Sequence, residues 1–229
     1  MLWPIAFVIA TSEPPVSDAL AATDSPKTLR AAFTLEVTSG EALRIIRFDP
    51  RLTGPAMWQL TEAKGRNDSL DGVLEGWSVD TSADGLLFPD NLSERLGAFV
   101  DLQDAGAAWT VDFRPAVTGG DTSFDIQASQ HLAGRVWLDP MSRRFVRVEY
   151  ESVGRFRVDG VGRIDRLSQN YVLGQDREFG LSYVTAFELS FTAGRGPVTR
   201  SQTISARLLD VEFFFASPEA LAAWQAGRD

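Results

Sequence analysis

The sequence predicts a mainly β, α+β fold: one antiparallel sheet with a mid-chain helix and a short C-terminal helix. The first observation is a period-two alternation of apolar and polar residues, clearest in Leu181–Thr192 and repeated in Arg144–Glu151. The second is turn chemistry between such segments: Pro140-Met141-Ser142-Arg143 joins Leu132–Asp139 to Arg144–Glu151. The third is composition, because 229 residues with 44% hydrophobic content can bury a core within one domain.

The N-terminal half predicts a hairpin and a third strand. Phe33, Leu35 and Val37 alternate with polar residues in Thr28–Thr38, Gly40 breaks this strand, and Glu41–Phe48 returns. Asp49-Pro50 then ends the second strand, because proline cannot donate a hydrogen bond to a central ladder. Ala56–Thr61 predicts the third strand, which carries Trp58.

The middle of the chain predicts a loop followed by a helix. Lys64–Asp84 is polar and rich in glycine and aspartate, so we interpret it as a loop with a short strand around Val73–Trp77. Pro89 and Asp90-Asn91 then indicate a helix start, and Gly106 indicates a stop. Between these signals, apolar residues recur at helical spacing; they are Leu92, Leu96, Phe99 and Val100.

The second half predicts further strands and a closing helix. Trp109, Val111 and Phe113 alternate as a strand, and Pro115–Asp121 forms a turn into Ser123–Ser129. Arg155–Asp159 and Gly162–Leu167 continue the alternation around a kink at Gly160. In the last long strand, Val198–Phe215, the phase slips between Leu208 and Leu209, which indicates a bulge. Ser217-Pro218-Glu219 is typical of a helix start, and Ala220–Ala226 would follow with Leu221 and Trp224 facing inward.

An apolar stretch at the N-terminus predicts export. Leu2–Ala10 is too short to span a bilayer, which takes about 20 helical residues, but it fits the core of a signal peptide. Ala19-Leu20-Ala21 is the expected cleavage site, which divides the chain into a signal peptide, 1–21, and a single domain, 22–229. The missing basic residues and the acidic Ser12-Glu13-Pro14-Pro15 spacer depart from this pattern. We expect a monomer in the periplasm that is not an integral membrane protein.

Composition excludes several classes of function. A net charge of -9 argues against nucleic acid as a partner, because phosphate binding needs a basic surface. The chain has no cysteine, so disulfides, thiolate metal sites and cysteine nucleophiles are excluded together. His131 is the one histidine, and a structural role is the more frequent one for such a residue. We expect no metal, no cofactor and no catalytic residue.

The order of elements resembles the LolA/LolB/RseB-like group of Gram-negative envelope proteins. A leader precedes paired strands ending in Phe48-Asp49-Pro50, and a mid-chain helix follows. Next come Val136-Trp137-Leu138-Asp139-Pro140, the return strand Phe145–Tyr150 and a series of long amphipathic strands. The resemblance covers Thr28–Phe215. It implies an open half-barrel that holds acyl chains, or the anchor of a lipid-modified protein, in its concave face. The group's arginine that locks the helical lid cannot be placed on any particular arginine of this chain.

Two apolar strand faces are the candidate lipid-binding surface. Counted with strict alternation, each set falls on one side of its strand; the sets are Leu181, Tyr183, Phe187, Leu189 and Phe191, and Val146, Val148 and Tyr150. Packing against the Leu92–Val100 helix is the simpler alternative, since an apolar sheet face is core by default. Trp58, Trp77 and Trp137 could stand at a pocket rim.

Two other classes of function remain open. The first is an envelope interaction or sensor module with a filled core, whose edge strands bind a protein partner. The second and weakest is an enzyme that uses carboxylates, for which Asp101/Asp104 and Asp159/Asp165 are the candidate pairs. These pairs lack the dense oxygen spacing of a calcium loop.

Overall fold

Eleven strands of the described chain form one antiparallel sheet. The computed structural model describes residues 14–78, 84, 87–89, 92–96, 102–119, 121–160, 162–195 and 198–227. The strands are β1 (Leu29–Ser39), β2 (Ala42–Phe48), β3 (Trp58–Lys64), β4 (Leu102–Asp104), β5 (Trp109–Phe113), β6 (Leu132–Asp139), β7 (Arg144–Ser152), β8 (Phe156–Val158), β9 (Gly162–Asp176), β10 (Leu181–Arg195) and β11 (Val198–Phe215).

The sheet is open, as the predicted half-barrel requires. Its hydrogen-bonded order is β3-β2-β1-β11-β10-β9-β7-β6-β5-β4, with β8 paired to β9 beside this path. The edge strands are β3 and β4, and within the described chain they do not pair with each other. The long C-terminal strands β9, β10 and β11 occupy the middle of the sheet, between the N-terminal strands β1–β3 and the mid-chain strands β4–β7.

Five helices accompany the sheet in the described part of the chain. They are α1 (Pro14–Ala21), α2 (Asp68–Ser78), α3 (Leu92–Leu96), α4 (Ser123–Ser129) and α5 (Pro218–Ala226), besides a short 3-10 turn at Gly54–Met57. The predicted mid-chain helix is present as α3, while Phe99 and Val100 lie outside the described residues. No helix in these described ranges is long and apolar enough to cross a membrane.

Several local predictions are confirmed. The turn at residues 140–143 joins β6 to β7, and the last strand spans Val198–Phe215. Its predicted bulge is present, because Thr34 pairs with Asp210 and Leu35 with Leu208, which leaves Leu209 without an opposite residue. The Ser217 side chain accepts a hydrogen bond from the Ala220 amide and so caps α5.

The predicted loop with a strand at Val73–Trp77 is wrong, because this segment is helix α2. The Asn67 side chain accepts a hydrogen bond from the Leu70 amide at 3.0 Å, and this bond caps the first turn. Asp68 and Asp71 stand in that turn, where a helix favours negative charge. Leu70, Val73, Leu74 and Trp77 then recur at helical spacing and face the sheet.

Of the two α5 residues that were predicted to face inward, Leu221 and Trp224, one does so. The Trp224 ring contacts Phe179 and Phe215 at centroid distances of 5.4 Å in both cases. Leu221 is 37% exposed, so its inward placement is wrong. The helix presents only one aromatic side chain to the sheet, and the turn carrying Leu221 faces solvent.

Helix α1 packs into the main core of the protein. Val16 and Ala19 are fully buried there, beside residues of α3, α4 and the β5–β9 strands. Arg143 pairs with the Asp18 carboxylate at 3.4 Å, and the Ser182 amide donates to the Ala22 carbonyl at 2.8 Å. Cleavage after Ala21 would remove both buried side chains, and the position of the cleavage site stays a prediction.

We expect a chain that starts at Ala22 to be less stable than one that starts at Pro14. Burial of Val16 and Ala19 contributes about 2–4 kcal/mol to the free energy of unfolding, most of it from the valine. Urea denaturation of the two truncated chains measures this difference directly. Equal stabilities would mean that α1 adds nothing to the core and that a cleavage after Ala21 leaves the fold unchanged.

Candidate functional site

An apolar cavity of about 320 Å³ lies between the sheet and helix α2. Strands β1, β10 and β11 supply its floor, and Val73 and Trp77 of α2 supply its cover. Besides Tyr171, Thr185 and the two indoles, its walls are aliphatic or phenyl side chains. The lining residues are Phe33, Leu35, Trp58, Val73, Trp77, Leu87, Tyr171, Val184, Thr185, Ala186, Phe187, Leu189, Ile204, Ala206 and Leu208.

A small side chain in the floor accounts for the empty space. Ala206 stands between Val37 on β1 and Phe187 on β10, so no bulky group rises from this position. At the first turn of α2, Leu70 is fully buried against the sheet. Farther along the same helix, Val73 and Trp77 are only partly buried and line the cavity. The helix therefore packs closely at its start and leaves a space beneath its later turns.

A second cavity, about 220 Å³ in volume, adjoins the first on the same face of the sheet. It lies beside α3 and α4, and the two cavities share Tyr171 and Val184 as lining residues. Its walls carry more polar groups than those of the apolar cavity. The polar side chains that line it are Arg95, Asp125, Ser129, Tyr150, Gln169 and Tyr171. We call it the polar cavity.

The charged groups of the polar cavity have partners within the protein. Arg95 Nη2 lies 2.5 Å from Oδ1 of Asp121, a carboxylate that also accepts hydrogen bonds from the Thr118 amide and hydroxyl. Burial alone would raise the pKa of Asp121, but the bonds from Thr118 and Arg95 outweigh it and lower this pKa. The Asp125 carboxylate accepts from the Thr122 amide at 3.0 Å and from its hydroxyl at 2.7 Å, which closes the capping box of α4.

Two tyrosines of the polar cavity keep their phenol protons. Tyr150 lies edge-on to Phe113 and to Tyr171, with ring centroids 5.6 and 6.2 Å away. Burial raises the pKa of Tyr171 to about 12, and it also raises the pKa of Tyr150 above its ordinary value. Among the described residues, neither hydroxyl has a hydrogen-bond partner. Both residues line the polar cavity, so each phenol can donate a hydrogen bond to a molecule that enters it.

An ion pair joins the covering helix α2 to the sheet. Arg44 Nε and Nη2 donate to the two carboxylate oxygens of Asp71 at 2.8 and 3.1 Å. Its Nη1 donates to the carbonyls of Leu43 and Lys64 at 2.8 and 2.7 Å, so this buried guanidinium is well satisfied. A second arginine, Arg30 on β1, makes the same bidentate pair of hydrogen bonds to the carboxylate of Asp84.

Sequence reasoning missed Arg44, although the sequence holds a signal for it. Ala42, Ile46 and Phe48 are buried and alternate along β2, and Arg44 occupies the intervening inward position. A charged residue at an inward position needs a buried partner. Asp71 supplies that partner from a segment that the sequence analysis interpreted as loop.

The candidate residues of β10 do not share one face. Val184 pairs with Leu173 and Ala186 with Val172, so Thr185 is an extra residue in the ladder. The bulge moves Phe187 and Leu189 onto the face of Val184, and both line the apolar cavity. By this register Leu181 and Tyr183 lie on the opposite face of β10, and they line neither cavity. Phe191 packs against the main core beside the cavities.

A second bulge, in β7, changes which residues of this strand face the cavity. Trp137 pairs with Arg147 and Leu138 with Phe145, so Val146 is the extra residue. Phe145 is fully buried and shares the inner face with Val148 and Tyr150, which line the polar cavity. Val146 points away from this face. Strict alternation therefore placed Val146 on the wrong side of the strand.

The other residues that the sequence offered as candidates make contacts within the protein. His131 is exposed and its ring stacks on Phe156 at 4.8 Å. Asp165 pairs with Arg155 and Arg163, while Asp101 lies outside the described residues. Trp58 and Trp77 line the apolar cavity, whereas Trp137 packs against the guanidinium of Arg147. Within the described ranges, no three acidic or histidine side chains come together as a metal site.

Comparison with known proteins gives only distant likenesses. No protein-family model matches the chain, and no curated protein matches it. A solved structure described provisionally as an outer membrane lipoprotein-sorting protein domain from Vibrio parahaemolyticus has a TM-score of 0.40 and 9% identity, covering 93% of this chain and 96% of that chain. A variant of the GphF dehydratase has a TM-score of 0.17 and 11% identity, covering 85% and 81%. Likenesses at this level carry no argument about function. The function proposed below is therefore argued from the two cavities alone.

Proposed function

We propose that this protein binds a lipid, or the acyl chains of a lipid-modified protein, non-covalently in the apolar cavity beneath α2. The observation that supports this function most is the space itself. In a filled core, other side chains would pack against Phe187, Ala206 and Trp77 on this side. Instead, these residues border a cavity of about 320 Å³. Cavities that bind small molecules typically measure about 300–1,000 Å³ and are mostly apolar.

The chemistry of the walls favours a hydrocarbon ligand. An acyl chain gains about 0.8 kcal/mol for each methylene that it moves from water into apolar surroundings. Phenyl and aliphatic groups from Phe33, Leu35, Phe187 and Leu189 offer such surroundings along the floor. The function needs no catalytic group, metal or cofactor, because binding and release complete it.

The proposed location is the periplasm. Its support is the apolar stretch Leu2–Ala10, which fits the core of an export signal. In this setting the protein acts as a monomer that carries or stores a lipid between membranes, and its partners are the lipid or lipidated protein and the envelope protein that receives it.

Fluorescence titration with the uncharged apolar dye N-phenyl-1-naphthylamine tests the function. We expect the unmodified protein to bind the dye and a synthetic lipopeptide to displace it. Phe187→Asp should weaken dye binding at least about tenfold, because a carboxylate in an apolar cavity is poorly solvated. Val172→Asp is the matched control, since Val172 is exposed on the other face of the sheet. Absence of dye binding by the unmodified protein would contradict the proposed function.

An interaction module of the envelope is the second candidate. One observation favours it: Leu60 is 59% exposed on β3, which is an edge strand of the described sheet, and an edge strand can pair with another chain. Under this alternative the dye does not bind, and Leu60→Lys weakens association with a protein partner. Under the lipid-binding function, Leu60→Lys leaves dye binding unchanged.

A further inference from the structure

Building on the proposed function, we infer that the polar cavity holds the head group of the same ligand, and that this head group is uncharged and rich in hydroxyl, ester or amide groups. The ligand class is thus an acylglycerol-like amphiphile, with its tail in the apolar cavity. A free fatty acid, whose head is a carboxylate, fits this arrangement less well.

The position of the two cavities supports an amphiphilic ligand that occupies both of them. They lie on one face of the sheet and share Tyr171 and Val184 as lining residues. One side of this boundary is almost wholly apolar, and the other carries Arg95, Gln169 and Tyr150. A molecule that spans the boundary therefore meets hydrocarbon walls with one end and hydrogen-bonding groups with the other.

The charges around the polar cavity argue against an anionic head group. Among the described residues that line it, Arg95 is the one cation, and Asp121 already pairs with it. Asp125 adds a further negative charge on the wall, although its carboxylate caps α4. A carboxylate or phosphate would enter a site whose described residues hold no unmatched positive charge, in a protein whose net charge is -9. Burial of an unpaired anion is unfavourable.

The hydrogen-bonding groups of the polar cavity suit a neutral polar head. Tyr150 is only 8% exposed, and within the described chain its hydroxyl has no partner. The high pKa of Tyr171 keeps the second phenol protonated and able to donate. Gln169, which lies opposite Tyr150 across the β7–β9 pair, offers both a donor and an acceptor. Hydroxyl, ester and amide groups match this mixed set.

Ligands with one tail and different heads test the inference. We would measure displacement of N-phenyl-1-naphthylamine by 1-dodecanoylglycerol, dodecanoate and dodecyltrimethylammonium, each below its micelle concentration. We expect 1-dodecanoylglycerol to bind about tenfold more tightly than either charged ligand. Tyr150→Phe should weaken 1-dodecanoylglycerol binding about three- to tenfold, the usual effect of one lost hydrogen bond. Among the described residues this oxygen has no hydrogen-bond partner, so we expect thermal unfolding of the variant to stay unchanged.

The outcomes separate this inference from the proposed function. Dye binding that persists in Tyr150→Phe reports an intact apolar cavity and serves as the internal control. Equal or tighter binding of either charged ligand, or unchanged 1-dodecanoylglycerol binding in Tyr150→Phe, would overturn the head-group inference while lipid binding stands. Displacement by glycerol alone would also overturn it, because the tail would then be dispensable. If the unmodified protein binds neither the dye nor any of the three amphiphiles, the proposed function fails as well.

Discussion

Replacing Ala206 with phenylalanine is expected to abolish dye and lipid binding while the protein stays folded. Ala206 stands on the floor of the apolar cavity, next to Phe187 across the β10–β11 pair. A phenyl group at this position would occupy the space that we assign to the acyl chain. We expect the dissociation constant for the dye to rise more than about tenfold, which corresponds to about 1.4 kcal/mol of binding free energy.

Stability distinguishes an empty cavity from a filled core at the same position. In a packed core, added methylenes force neighbouring side chains from their rotamers and cost about 1–3 kcal/mol. In a cavity of about 320 Å³ the phenyl group has room, so Ala206→Phe should not lower the melting temperature. Thr203→Phe is the matched control, because Thr203 lies exposed on the opposite face of β11. Retained dye binding in Ala206→Phe would contradict the assignment of the cavity.

Replacing Phe145 with alanine is expected to destabilise the protein by about 3–5 kcal/mol, the usual cost of removing a buried phenyl group. Phe145 is fully buried opposite Leu138 in the main core. Val146→Ala is the matched variant on the next residue. Because Val146 is only partly buried, we expect it to cost about 1 kcal/mol or less.

Urea denaturation of the two variants tests the bulge in β7. With strict alternation, Val146 would share the inner face with Val148 and Tyr150, and Phe145 would face outward. The order of the two stability losses would then be reversed. A larger loss for Val146→Ala than for Phe145→Ala would therefore contradict the pairing of Leu138 with Phe145.

The sequence predicts the strands of this fold well because alternation and turn chemistry are local signals. The turn at residues 140–143, the capped helix after Ser217 and the bulge at Leu209 depend on neighbouring residues alone. The Leu209 bulge could be recognised because two leucines occupy adjacent positions. In the same way, the alternation of Trp109–Phe113 sufficed to predict β5.

The candidate site was harder to predict because its geometry depends on pairing between distant strands. The residues on the opposite strands show that Thr185 of β10 and Val146 of β7 are the extra residues in their ladders. Phe187 and Leu189 were identified, but Tyr183 and Val146 were assigned to the wrong face. The polar cavity combines Arg95, Tyr150 and Gln169 from three separate elements, and no spacing along the chain connects them.

Native mass spectrometry of the protein purified without detergent from the cells that produce it, followed by lipid extraction, tests lipid binding most directly. We predict a population whose added mass matches an acyl lipid with an uncharged polar head, and we predict its loss in Ala206→Phe but not in Thr203→Phe. A single unliganded mass, together with no uptake of added 1-dodecanoylglycerol or lipopeptide, would contradict the assignment of the apolar cavity as a lipid-binding site.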